Sequence, residues 1–444
     1  MEKSTFMRQF LKNIVPAIIS CVVLGTFSII DGLFIGNKIG DVGLAAINIA
    51  WPITAIIQAI GFGIGMGGSV AISIAKGKGD TELAKKYLSV IYILFAISMA
   101  LLMLIFIPTQ TPLLKLFGAS EETLPVAKAY ITTILLATIP QVLSQGLVPI
   151  TRNLGYHVLT MVIMAIGFGT NIFLDWLFIY PLDYGLKGAA VATDISQCII
   201  TVGCLIILLQ KKHWPKLSFK WEHVKTILLI SISPFGVSFA PNLVVMLVNK
   251  ACSVFSTDQA IAAYTAVSYV TFMAMRFMQG VGDGAQPMMS LYYGAKNYKT
   301  LRKTLRYSLI TSLGLAVIIL SVVLIIKKPL SYAFGLSAEA REMFEYALPF
   351  FVLPFIGMAI MKVSMSYFYS QKKNIFAYII VYLEPVFMGI IIFTFPLFMG
   401  ISGIWIATPI TQYLLGIVSI ILILILHKNQ RKEQSEIIVT NALE

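Results

Sequence analysis

The stretches GFGIGMGGSVAISIAKG (61–77) and GVGDGAQPMMSLYYG (280–294) decide the fold. Set 217 residues apart, Gly63, Gly65, Gly67, Ser73 and Gly77 fall on Gly280, Gly282, Gly284, Ser290 and Gly294. At the same offset Phe117, Gly118, Ser120 and Glu122 fall on Phe334, Gly335, Ser337 and Glu339. At an offset of 215, Gly185, Gly188, Ala192, Thr193, Ile195 and Gln197 fall on Gly400, Gly403, Ala407, Thr408, Ile410 and Gln412. Three windows in order at a nearly constant offset mark a duplicated chain. Gly63, Gly65 and Gly68 also satisfy G-x-G-x-x-G, yet no strand precedes them. Close packing of an apolar helix accounts for them, and no P-loop motif exists to bind ATP.

The duplicated unit is apolar. Of 444 residues, 58% are hydrophobic and only 12% charged, and the mean hydropathy is +0.86. A soluble surface needs about 25% charged residues, so lipid is the main solvent of this chain. Segments near the roughly 20 apolar residues that cross a bilayer number twelve: 14–36, 43–75, 87–107, 123–150, 158–180, 187–210, 225–250, 260–293, 307–326, 345–370, 375–397 and 403–427. The long, glycine-rich segments 43–75 and 260–293 are expected to tilt or bend. Met1 to Gly25 resembles a signal peptide, but its apolar run continues to Ile35 without a small-x-small cleavage pattern, so it reads as the first span.

The net charge of +13 suggests nucleic acid only if the cations share one soluble face. They do not. With the amino terminus inside, 23 of the 33 lysines and arginines fall on the cytoplasmic side. Eight fall outside: Lys38, Lys115, Lys128, Lys187, Lys250, Lys327, Lys328 and Arg341. Arg276 and Lys362 fall within spans, and Arg152 is counted in a cytoplasmic connection. The expected organisation is a cytoplasmic amino terminus (1–13), an amino lobe of six spans (14–210), a cytoplasmic linker (211–225), a carboxyl lobe of six spans (226–427) and a cytoplasmic tail (428–444). In the linker, Trp214 and Trp221 sit at headgroup level beside lysines that meet anionic lipid. Six spans per half insert both halves the same way up, as parallel repeats about an axis along the membrane normal. That arrangement suits alternating access.

Cys21, Cys198, Cys204 and Cys252 form no CxxC pair and read as small core residues. His157, His213, His223 and His427 fall in polar connections, so no histidine metal site is visible. Without a buried histidine or an HExxH motif, an intramembrane zinc enzyme is disfavoured, and the chain reads as a non-enzyme.

Five carboxylates lie in spans: Asp31, Asp175, Asp194, Asp283 and Glu384. A charge at a helix centre costs about 2.5–3.5 kcal/mol on insertion scales, so each needs a partner, a cavity or a proton. At 1.5 Å per residue, Asp31, Asp175, Thr193 and Tyr130 all fall roughly 8–10 Å below the outer interface. Asn171 precedes Asp175 by one turn on the same face. Asp31, Asn171, Asp175 and Thr193 are thus expected to converge, as oxygen ligands for Na⁺ or as carboxylates sharing a proton. The repeat sets Asn249 opposite Asp31 and Ile390–Ile392 opposite Asp175, so coupling belongs to the first half alone. Lys362 and Glu384 lie at equal depth and are expected to form a buried pair. Arg276 and Asp283 are about 10 Å apart along one helix, too far for contact. Asp194 has no evident partner.

SIIDGLFIG (28–36), NIFLDWLFIY (171–180), GLKGAAVAT (185–193) and GVGDGAQP (280–287) resemble the multidrug and toxic compound extrusion (MATE) family, in its bacterial DinF-like and Mep-type branch. The resemblance covers nearly the whole chain. It implies an all-α membrane protein of twelve transmembrane helices in two six-helix lobes around a central cavity. It implies export of varied, often cationic or amphipathic compounds in exchange for Na⁺ or H⁺, from the cell membrane, with no cofactor and no nucleic-acid partner, by a monomer. The branch's amino-lobe cation site matches Asp31, Asn171, Asp175 and Thr193. Pro16 matches a first-helix proline linked to bending, and Tyr130 matches a cavity tyrosine. The carboxyl-lobe acids of the NorM-type branch have no clear match. A lipid-linked saccharide flippase of the same superfamily is the alternative; it calls for several cavity arginines. Methionines of the eighth span (Met273, Met275, Met278, Met288, Met289) offer a polarizable wall for varied ligands.

Overall fold

The computed structural model describes residues 3–211, 218–255, 258–334 and 338–443. His213 and Trp214 of the linker, and Gly335 and Ser337 of the repeat, lie outside the described residues. The elements in order are α1 (Lys3–Ile39), α2 (Asp41–Gly77), α3 (Thr81–Leu116), α4 (Thr123–Leu136), α5 (Thr138–Asn153), α6 (His157–Ile179), α7 (Gly185–Gln210) and α8 (Trp221–Phe255). There follow α9 (Asp258–Gly294), α10 (Tyr298–Ile325), α11 (Lys327–Ala333), α12 (Ala338–Val352), α13 (Phe355–Tyr369), α14 (Asn374–Thr394), α15 (Pro396–Met399) and α16 (Ile401–Leu443).

Among the described residues, nine helices are long and apolar enough to cross a membrane, and the pairs α4–α5 and α12–α13 make two more spans. The twelfth expected span is α9. It is 37 residues long, carries Arg276, Gln279, Asp283 and Gln286 from its midpoint on, and packs against α1, α2, α10, α12 and α13. The apolar side chains left exposed, such as Leu104, Ile105, Ile318 and Leu424, form the lipid-facing surface.

The helix contacts repeat with the sequence. In one half α2 packs on α3, α4 and α5, α6 on α1 and α7, and α5 on α7. In the other α9 packs on α10, α12 and α13, α14 on α8 and α16, and α13 on α16. Across the seam, α1 meets α9 as α8 meets α2, which is the reciprocity of a twofold relation. The bends repeat too. The chain turns by 61° between α4 and α5 and by 45° between α12 and α13. The breaks fall at Ala137, shortly before Pro140, and at Leu353–Pro354. Proline lacks the N–H that would continue the helix and restricts the residue before it. The segments 43–75 and 260–293, expected to tilt or bend, lie in α2 and α9, which run without a break for 37 residues each, about 55 Å. The sharp breaks lie in the fourth and tenth spans, which hydropathy reads as continuous.

Glycine sets the closest contacts. A Cβ at Gly65 would lie 2.2 Å from the Gly146 carbonyl oxygen, joining α2 to α5. A Cβ at Gly77 would lie 2.1 Å from the Leu291 carbonyl oxygen, and one at Gly294 2.2 Å from that of Ile74, where α2 meets α9 across the seam. Around these contacts every residue from Gly63 to Ala75 on α2, and from Met278 to Ser290 on α9, is buried. Farther from the termini, residues 268–273 and 275–277 of α9 are partly exposed. The two central helices are therefore closed on all sides only at the end that carries the termini. There Ser73 donates to Asn153 Oδ1 (2.7 Å), Asn153 Nδ2 donates to Gln286 Oε1 (2.8 Å), Gln286 Nε2 donates to Ser290 Oγ (2.8 Å), and Ser290 donates to the Ser370 carbonyl (3.2 Å). The chain of bonds links α2, α5, α9 and α13. Gly77→Ala is expected to lower the melting temperature of the purified protein by several degrees. Gly314→Ala, where nothing lies within 4 Å of the added Cβ, is expected to leave it unchanged in the same thermal assay.

Candidate ion and substrate site

One face of α6 is lipid-exposed, through Ile166, Phe173 and Trp176. The opposite face, through Phe168, Asn171 and Asp175, is buried to 1% exposure or less and turns toward α1 and α7. Two ring pairs register α1 on this face. Phe27 stacks on Phe168 with centroids 5.2 Å apart, and Phe34 meets Tyr180 edge-on at 5.9 Å. Asp31 lies between those rings in sequence, one turn from each, so it is held level with Asn171 and Asp175. The two carboxylates are electrostatic neighbours, and the charges of Asp31, Asp175 and Asp194 all reach the buried Tyr130 on α4.

Asn171 organises the cluster. With its amide in the orientation that satisfies both ends, Nδ2 donates to Asp175 Oδ2 at 2.8 Å and Oδ1 accepts from the Thr193 N–H at 3.1 Å. Among the described residues, Asp31 Oδ1 and Asp175 Oδ1 are each enclosed without a hydrogen-bond partner. An unsatisfied buried oxygen costs about 1–3 kcal/mol, more when charged, so the pair is suited to taking up a proton or a cation. Of the residues expected to converge, Asn171, Asp175 and Thr193 are joined through the Asn171 amide, and Asp31 is the electrostatic neighbour of Asp175; Tyr130 of α4 is in electrostatic range of both aspartates. Pro16 is buried in an unbroken α1, beside the stretch where α9 approaches closely at Gly280 and Gly284.

Other expectations need correction. Lys362 and Glu384 make no ion pair within 4.0 Å among the described residues; Glu384 Oε1 accepts instead from Gln412 Nε2 at 2.7 Å. Equal depth makes them electrostatic neighbours without bringing them into contact. Arg152, counted as a loop cation, is 4% exposed in the last turn of α5, its Nη2 directed at Met164 Sδ at 3.3 Å. Asp194 has a partner after all: Gln141 Nε2 donates to it at 3.0 Å. Cys198 is exposed, unlike the other three cysteines. His157, His223 and His427 belong to helices, not connections, and His427 Nε2 lies 3.0 Å from the Tyr367 hydroxyl. Two cross-lobe features escape sequence reading: the Asn153–Gln286 bond and the bond from Trp51 Nε1 to Asn242 Oδ1 (2.8 Å). No spacing rule pairs residues on separate lobes.

A duplicated helical bundle, closed at one end between its lobes and holding an acid pair among the helices of one lobe, is the architecture of a secondary transporter. The MatE family model matches the chain twice, over residues 16–177 and 234–395, and the chain belongs to this family of multidrug extrusion transporters. It is 25% identical over 331 residues to the multidrug export protein MepA of Staphylococcus haemolyticus, covering 73% of this chain and 72% of that one. To MepA of Staphylococcus aureus strain MRSA252 it is 24% identical, covering 72% and 71%. The fold is that of the MATE transporter VcmN of Vibrio cholerae (TM-score 0.86, 24% identity, 94% of this chain and 96% of that one). It is equally that of a Pyrococcus furiosus transporter described as having a binding pocket of reverse polarity (TM-score 0.89, 20% identity, 95% and 96%).

Asn171→Leu is expected to destabilise the protein by about 1–3 kcal/mol, because Asp175 Oδ2 loses its buried donor. Adding Asp175→Leu to that variant removes the stranded carboxylate and is expected to recover most of the loss. Thermal unfolding in detergent of both variants and of the parent reads the difference.

Proposed function

We propose that this protein is an antiporter that exports cationic or amphipathic organic compounds in exchange for Na⁺ or H⁺ by alternating access. The observation that supports the reading is the pair of enclosed, unpartnered oxygens on Asp31 and Asp175, held level by ring contacts between α1 and α6. The incoming ion or proton neutralises the pair, with the Asn171 and Thr193 oxygens as further ligands for Na⁺. Neutralisation removes the cost of enclosing two like charges and favours closure after substrate has left. Release on the other side restores the charge and favours a new load. Substrate has to bind with different affinity in the two states for the cycles to be coupled. Pro16, whose missing N–H weakens the ladder of α1 at its buried end, is the proposed flexing point, and Tyr130 lines the acidic region.

The remaining features of the proposal are a monomer in the cell membrane, both termini cytoplasmic, with small organic substrates, the coupling cation and lipid as its partners. The flippase alternative draws no support from the relatives, which are multidrug export proteins. In energised vesicles loaded with a cationic dye, Asp31→Asn and Asp175→Asn are each expected to cut gradient-driven efflux at least tenfold while leaving expression intact. Collapsing the Na⁺ and H⁺ gradients separately identifies the driving ion. Full efflux in both variants, or indifference to both gradients, overturns the reading.

A further inference from the structure

The charges between the lobes are unevenly placed. On the amino-lobe side Asp31, Asp175 and Asp194 share a region in which no ion pair within 4.0 Å joins them to a cation among the described residues. On the carboxyl-lobe side, nearer the closed end, Asp283 is the shared electrostatic neighbour of Arg152, Arg276 and Lys362. Asp283 is 4% exposed and accepts from Gln279 Nε2 at 2.7 Å; Glu384 accepts from Gln412 at 2.7 Å. Three cations thus face two carboxylates, and no ion pair within 4.0 Å forms among the five. Arg152 and Lys362 are 4% and 2% exposed and enclosed in protein.

Arg276 differs from both. It is partly exposed and sits just before Met278, where α9 becomes buried on every side. Its guanidinium lies over the Phe272 ring at 4.5 Å, and its Nε is enclosed with no acceptor. Its stem packs at Gly25 of α1, and Tyr269, two turns along α9, packs at Gly32 beside Asp31. Along α1 the separation from Gly25 to Asp31 is about 9 Å.

We infer that Arg276 is a substrate-recognition residue that binds the carboxylate of a zwitterionic aromatic compound, whose cationic group lies toward the acidic amino-lobe side about 9 Å away. The planar guanidinium forks onto a carboxylate, and the ring of Phe272 keeps it flat for an aromatic ligand to stack alongside. The excess of one cation over the carboxylates beneath it supplies the attraction, and the partial exclusion of water strengthens it. This inference rests on the extrusion reading and narrows its substrates to compounds carrying both signs of charge.

The test uses the full-length protein in nanodiscs and a matched pair of dyes, tetramethylrhodamine with its free carboxylate and tetramethylrhodamine methyl ester, with binding followed by fluorescence anisotropy. The parent protein is expected to bind the free acid about tenfold more tightly than the ester, a preference of about 1.4 kcal/mol. Arg276→Gln is expected to reduce that ratio to near one, and Arg276→Lys to retain part of it. An equal or greater affinity of the parent for the ester overturns the inference and needs no variant. So does an unchanged ratio in Arg276→Gln with a normal melting curve. Binding of neither dye by the parent overturns the inference together with the extrusion reading, whereas energised efflux of the ester without preference for the acid overturns the inference alone.

Discussion

The rest of the structure depends on backbone meeting backbone at a few glycines. At Gly65 against Gly146, and at Gly77 against Gly294, the space that a Cβ would fill is already taken by a carbonyl oxygen of the next helix. In lipid there is no hydrophobic drive to press helices together, so close van der Waals contact through small residues carries the association. Because α2 and α9 are gripped this way from their own lobes and from each other, their polar side chains at that end are enclosed, and each must find a partner inside the protein. The Ser73–Asn153–Gln286–Ser290 chain follows from that requirement.

The duplication that shapes both lobes does not extend to their chemistry. Contacts, bends and glycines repeat at an offset near 217, yet the acid pair has no carboxyl-lobe copy. Asn249 stands where Asp31 would recur and is exposed on α8, and Ile390 to Ile392 stand where Asp175 would recur. The carboxyl lobe instead carries Arg276, Asp283, Lys362 and Glu384. A fold with two equivalent walls has thereby become a passage with two unlike ones.

Most of the architecture was legible in the sequence because lipid imposes one rule on every span, and the repeat states it twice. The acidic cluster was legible for a related reason: residues at equal depth on adjoining helices have few places to go. What escaped was whatever depends on azimuth. Lys362 and Glu384 share a level and are electrostatic neighbours, yet Glu384 Oε1 takes its hydrogen bond from Gln412. Arg152 reads as a loop cation because α5 ends right after it, at Asn153, yet the lobes close over it. The bends at Ala137 and Leu353–Pro354 leave hydropathy unbroken and so leave no trace in an apolar count.

The bond between Asn153 and Gln286 gives the closed end a further property. Parting the lobes there breaks the Asn153–Gln286 bond and strands Gln286 Oε1, while Asn153 Nδ2 keeps the Pro149 carbonyl and the serine bonds stay within their own lobes. Among apolar neighbours only water can replace the lost bond. Any opening toward the termini is thus a wetting event, whose free energy depends on the activity of water.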